Sequence, residues 1–168
     1  MKKASIVVLL VLVASALAMF APRVSAQTAG ADRPEVAKPS AKDKCPVCGM
    51  FVAKYPDWLA TLRFKDGTFR YFDGPKDLFK FLLDLKQYAP GKGQSDIDRF
   101  LVNDYYAVRQ IDGRKAFYVL GSDVYGPMGK ELIPFEKETE ARGFLKDHGG
   151  RSILRYHEVT SAVLKQLE

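Results

Sequence analysis

Between Trp58 and Leu85 the apolar residues change period once, from two to about 3.6, and few folds accommodate that order. Trp58, Ala60, Leu62 and Phe64 alternate, Asp66-Gly67 supplies a tight turn, and Phe69 to Phe72 returns as a second strand. Asp73 suits an N-cap and Pro75 the first helical turn. Leu78, Phe81, Leu82 and Leu85 then follow at i, i+3, i+4 and i+7. The stretch predicts an antiparallel β-hairpin running directly into an amphipathic helix.

The plan recurs further along. After a Pro/Gly-rich break at 87–98, Phe100 to Ile111 reads as a strand, Asp112-Gly113 as a second hairpin turn, and Lys115 to Leu120 as its partner. A helix is expected over Glu138 to Asp147, stopped by Gly149-Gly150, followed by a short strand over Ser152 to Tyr156. Val159, Val163, Leu164 and Leu167 mark a C-terminal helix. Phe72-Asp73 stands nine residues before Phe81-Leu82, and Phe135-Glu136 nine before Phe144-Leu145, the two sets being 63 apart. A true duplication and a shared core pattern explain this equally well. Either way the expected class is α+β: two similar small units, each an antiparallel β-hairpin plus an amphipathic helix, over 45–86 and 99–168 with 87–98 as linker.

What precedes the first unit speaks to destination. Lys2-Lys3 opens a segment that is apolar from Ala4 to Phe20 apart from Ser5 and Ser15, and Val24-Ser25-Ala26 offers the small residues a signal peptidase reads. Residues 1–26 are therefore expected to be a signal peptide, the alternative being an uncleaved anchor, and the rest of the chain to be exported to a periplasm. With no cysteine beside that site, a soluble or signal-anchored form is expected over a lipid-anchored one. Residues 27–44, rich in Ala, Pro, Lys and polar groups, read as a flexible tether. Lys2, Lys3 and Arg23 leave with the signal, so 23 basic residues face 20 acidic ones and the net charge falls from +6 to +3. So small a balance does not call for nucleic acid, and membrane attachment is expected only if the signal segment is retained.

Both cysteines lie in the stretch DKCPVCGMFV, at Cys45 and Cys48. A structural disulfide is the default for an exported pair, but closing a two-residue spacer restrains little of the unfolded chain. A thioredoxin-like couple needs a helix after the first cysteine, and Gly49-Met50-Phe51-Val52 has no helical period. Cys-Pro-x-Cys-Gly also matches one half of a zinc ribbon, with the second half missing. Cu(I) suits the inventory best, because it is soft and accepts two or three sulfur ligands. Met50 stands two residues after Cys48. Met128 sits between Pro127 and Gly129, a loop position poorly placed for core filling. His148 ends a helix before Gly149-Gly150 and is either a ligand or a cap on the helix dipole, and His157 follows the last strand. No phosphate loop, His-Glu-x-x-His or Gly-x-Ser-x-Gly motif is present, so a binding protein is expected rather than an enzyme.

The segments CPVCGM, FDGPKDLFKFL, VNDYYAVRQIDGRKAFYVLGSDVYGPMG and FLKDHGGRSILRYHEV, in this order, resemble NosL, the nitrous oxide reductase accessory proteins. The resemblance covers roughly residues 44–159. It implies a periplasmic chaperone that binds Cu(I), takes it from an upstream copper donor and hands it to apo-nitrous oxide reductase; zinc stays open as the other ion on the knuckle residues themselves. It also implies two similar α+β units. Carried onto this chain, the metal positions are Cys45, Cys48, Met50 and Met128, with His148 behind them. Two other functions compete: an exported thiol–disulfide oxidoreductase using Cys45, and a zinc-stabilised interaction module.

Overall fold

The computed structural model describes residues 38–168. The expected signal segment, 1–26, and the tether as far as 37 lie outside the described residues. Strand β1 (Ala60–Phe64) turns at Asp66-Gly67 and pairs antiparallel with β2 (Phe69–Phe72), Ala60 facing Phe72. The turn is held by Asp66, whose carboxylate accepts from the amide and hydroxyl of Thr68, and by Gly67 at φ +86°. Helix α1 (Pro75–Leu83) follows as expected, with Leu78, Phe81 and Leu82 buried. It stops at Asp84, whose side chain caps the short helix α2 (Leu85–Tyr88).

Two expectations about the middle of the chain need correction. The single strand anticipated over Phe100–Ile111 is a hairpin, β3 (Ile97–Asp104) and β4 (Arg109–Asp112). Its turn contains no glycine or proline. Asp104 makes it instead, its Oδ1 accepting from the amides of Tyr106 and Ala107, and Val108 takes φ +48°. Asp112-Gly113, in turn, is not a hairpin tip. It carries the chain out of the first sheet, β2-β1-β3-β4, and into a second.

That second sheet is formed by β5 (Phe117–Gly126), β6 (Gly129–Phe135) and β7 (Ser152–Arg155). Pro134 disguises β6 as a non-strand, but β6 is an edge, where a missing ladder donor is tolerated. Helix α3 (Glu138–Asp147) spans the predicted residues. The C-terminus adds α4 (Ser161–Leu164) and a 3₁₀ turn.

The class is α+β, and the two-unit pattern is visible in the pairing. In each sheet a hairpin (β1–β2, β5–β6) leads into a helix (α1, α3), and the next strand (β3, β7) returns to pair with the first strand of the hairpin. Phe72 and Phe135 close the two hairpins, and Phe81 and Phe144, 63 residues apart, take matching places in the two helices. All four are fully buried. The helices differ in setting. Helix α1 packs against β1 and β2 on one side and β6 on the other, with Phe79 meeting Phe100 of β3 and Tyr118 of β5 edge-on. Seven of its nine residues are buried, including Lys76 and Asp77. Among the described residues no helix is long and apolar enough to cross a membrane.

Candidate metal centre

The cysteines sit on a knuckle closed at its base by pairing of Lys44 with Phe51 and by the Val52 amide donating to the Asp43 carbonyl. Inside the loop the Cys45 amide donates to the Met50 carbonyl and the Gly49 amide to the Cys45 carbonyl, both at 2.9 Å. Gly49 closes the turn at φ +79°, a conformation that side chains resist. No helix follows Cys45. The geometry is that of a knuckle seat, and both cysteines are free thiols.

The knuckle lies over the start of α1. Asp73 was expected to cap that helix, but the N-cap is Gly74, and the Asp73 carboxylate engages Cys48 instead. The Cys48 thiol donates to Asp73 Oδ1 at 3.2 Å and the Cys45 thiol to Asp77 Oδ2 at 3.3 Å. Spaced i, i+4, the two carboxylates share one face of the first turn. Ligand atoms of Cys45, Cys48, Asp73 and Asp77 all lie within 4.8 Å of one another. Cys45 is 1% exposed, and Asp73 and Asp77 are buried, while Cys48 remains half-buried and Gly49 exposed. Asp73 Oδ2 is buried with no hydrogen-bond partner among the described residues. Such an acceptor is unfavourable until a hydrogen-bond donor or a cation joins it.

Electrostatics agree with the geometry. Burial pushes the Cys45 thiol far above its ordinary range, and the charges of Asp77 and Asp73 add to the rise. Burial likewise drives Cys48 up to about 12, with the two carboxylates contributing. Without a cation the site is held as two thiols bonded to two carboxylates. A cation inverts that preference, since a coordinating thiol gives up its proton.

Of the five positions expected to bind metal, the knuckle brings together Cys45, Cys48 and Met50, the last contributing its carbonyl to the loop and a half-buried side chain. Met128 lies at the tip of the β5–β6 hairpin between the paired Gly126 and Gly129, 45% exposed, with its carbonyl bound by the buried Lys76 ammonium at 2.6 Å. His148 stands at the end of α3, stacked on Phe144 at 4.2 Å and bonded through Nδ1 to Asp123 at 2.9 Å. It is not among the four clustered donors. The sequence reading missed Asp73 and Asp77 as site residues. Their spacing in FDGPKD was the available signal, masked because an acid before Pro reads as a cap.

A two-unit α+β fold carrying a cluster of thiols and carboxylates defines a candidate metal-binding protein. The chain belongs to the NosL family, whose model matches residues 36–164. It is 31% identical over 130 residues to the copper-binding lipoprotein NosL of Stutzerimonas stutzeri, covering 74% of this chain and 65% of that protein, so it spans somewhat less than two thirds of the relative's length. Its fold matches the crystal structure of the copper chaperone NosL from Shewanella denitrificans with a TM-score of 0.64 at 26% identity, over 78% of this chain and 99% of that one.

Proposed function

We propose that this protein is an exported copper chaperone that holds Cu(I) through Cys45 and Cys48 and delivers it to a periplasmic copper enzyme, nitrous oxide reductase being the first candidate. The observation that carries the reading is the convergence of two free thiols on a buried pair of carboxylates, one of which has an unpartnered oxygen. Cu(I) prefers thiolate sulfur and is content with few ligands. Binding converts two thiols to thiolates and releases two protons, and Asp77 and Asp73 already accept those S–H bonds. Cys45 forms the sealed side of the seat, Cys48 and Gly49 the open one. An incoming sulfur or imidazole would therefore displace Cys48 first. The basic, apolar N-terminal segment and the lipoprotein relative support export.

A thiol–disulfide oxidoreductase is disfavoured by the same site. Its nucleophile needs a thiolate near neutral pH, whereas burial drives both thiols upward. Zinc is a second reading at the same centre, favoured by the two carboxylates and the closed side, since tetrahedral Zn²⁺ accepts sulfur and oxygen together.

The test is an anaerobic titration of the reduced protein with Cu(I) against a colorimetric Cu(I) chelator, with Cys45→Ser and Cys48→Ser alongside and Zn²⁺ in a parallel arm. The parent should outcompete the chelator and both variants should fail. A parent that retains Zn²⁺ but yields all Cu(I) would replace this reading with the zinc one. Transfer to apo-nitrous oxide reductase, followed by the copper content of the separated proteins, tests the client.

A further inference from the structure

Lys76 and Glu131 are buried charged residues outside the cluster of four donors. Glu131, on β6, is 3% exposed, and its Oε1 accepts from the Lys76 amide at 2.6 Å and the Leu132 amide at 2.8 Å. The opening amides of a helix find no acceptor within their own helix. Glu131 therefore caps α1 from the second sheet, the task left open when Asp73 turns to Cys48. Lys76 answers in the other direction, its Nζ donating to the carbonyls of Met128 at 2.6 Å and Lys130 at 2.8 Å. Two glycines make room for the carboxyl. A Cβ on Gly74 would stand 2.3 Å from Glu131 Oε2, and one on Gly126 3.1 Å from Glu131 Cγ.

Gly74 and Lys76 lie between the two site carboxylates in the chain. The five residues 73–77 are thus engaged twice: Asp73 and Asp77 accept from the thiols of the knuckle, while Gly74 and Lys76 meet Glu131. Hydrogen bonds weaken steeply as their geometry is lost, so a turn free to shift would give up both thiol–carboxylate bonds. We propose that Glu131 is a positioning residue of the metal centre: by binding the Lys76 amide it sets the turn so that Asp73 meets Cys48 and Asp77 meets Cys45. The proposal rests on the metal reading above and makes a site whose four donors all lie in the first unit depend on a residue of the second. The acceptor oxygen carries the role and not the charge, because what Glu131 holds is a backbone amide and burial itself favours its neutral form.

The test is anaerobic retention of Cu(I), with Zn²⁺ in a parallel arm, each against its own colorimetric chelator. Glu131→Ala removes the acceptor and should weaken retention on the order of 10–100-fold, as loss of an outer-shell support does. Glu131→Gln keeps an acceptor oxygen and should match the parent. Added to Asp73→Asn with Asp77→Asn, Glu131→Ala should cost nothing further, because Glu131 acts through those carboxylates. Phe144→Ala controls for stability alone: it loses a fully buried ring and should still hold metal as the parent does. If Glu131→Ala does not fold, Gly74→Ala displaces the same carboxyl and should show the same loss. Losses that multiply in the triple variant, a Glu131→Gln as weak as Glu131→Ala, or a Phe144→Ala weakened as much would each mark Glu131 as merely structural and overturn the proposal. A parent that holds metal through Cys45 and Cys48 while Glu131→Ala holds it equally well sinks this proposal alone. A parent that retains neither ion sinks it together with the reading it rests on.

Discussion

Asp73 and Asp77 in the first unit stand 63 residues before Glu136 and Glu140 in the second. Each pair follows the buried phenylalanine that closes its hairpin, Phe72 or Phe135, and reaches into the first turn of the helix beyond. The first pair is buried against two thiols. The second faces solvent, where Glu136 pairs with Arg109 and Glu140 with Lys137. The helices differ accordingly: seven of nine residues of α1 are buried, against Ala141 and Phe144 alone in α3. Matching carboxylates thus become a candidate metal centre in one unit and ordinary surface charge in the other.

The difference lies in what covers the helix start. Over α1 the knuckle of residues 44–52 closes from one side and β6 from the other. Removing carboxylates and thiols from water makes an approaching cation's attraction far less screened than at a surface. The exposed pairs of the second unit are worth little by comparison.

The largest expected effect tests whether the two cores are equivalent. Phe81→Ala and Phe144→Ala each remove a fully buried ring, at a cost of about 3–5 kcal/mol read from urea denaturation. Only Phe81 lies in the helix beneath the centre, so the Phe81 variant alone should also weaken Cu(I) retention. Equal losses of affinity in both would break the comparison. Next in size is the carboxylate exchange itself. Asp73→Asn with Asp77→Asn should weaken metal retention on the order of 10–100-fold in the chelator competition, and Glu136→Gln with Glu140→Gln should leave it unchanged.

The first hairpin and its helix, the span of α3 and the 63-residue echo were legible in the sequence, because each rests on local period and turn chemistry. What escaped depends on tertiary context. Asp104 makes a turn through its side chain in a stretch, Tyr105 to Val108, whose two tyrosines and valine favour strand. Pro134 hides a strand that only an edge position permits. At the centre, Cys45 and Cys48 were evident from spacing. Asp73 and Asp77 were not, since recognising them requires knowing that the knuckle folds over α1. Lys76 and Glu131 look like surface charges until the second sheet is placed against that helix.

Glu131 and Glu136 sharpen the contrast by pH. Burial pushes the Glu131 carboxyl up to about 8, whereas in the unfolded chain it titrates near ~4.3. Between those values the folded protein holds a proton that the unfolded chain has released, so stability falls as pH rises. The contribution is fully present below the unfolded value and gone once pH passes about 8. The urea midpoint of the parent, measured from ~pH 5 to ~pH 8, should therefore decline relative to that of Glu131→Gln. Glu136→Gln, at an exposed position, should follow the parent's slope. A Glu131→Gln curve parallel to the parent would show that the carboxylate is charged throughout, stabilised by the Lys76 and Leu132 amides it accepts from.

The smallest effect is expected at Lys137, which occupies in the second unit the place Gly74 holds in the first. Its ammonium pairs with Glu140 at 2.8 Å while its side chain remains 65% exposed. Exposed pairs at this spacing are screened by salt and lose much of their attraction to side-chain entropy. Lys137→Ala should leave the urea midpoint within error at physiological ionic strength and Cu(I) retention untouched. Gly74→Ala, the same change at the matching position, should lower both, because its Cβ meets Glu131. If the two alanines behaved alike, the cover over α1 would not be what separates the units, and the helix start itself would have to differ.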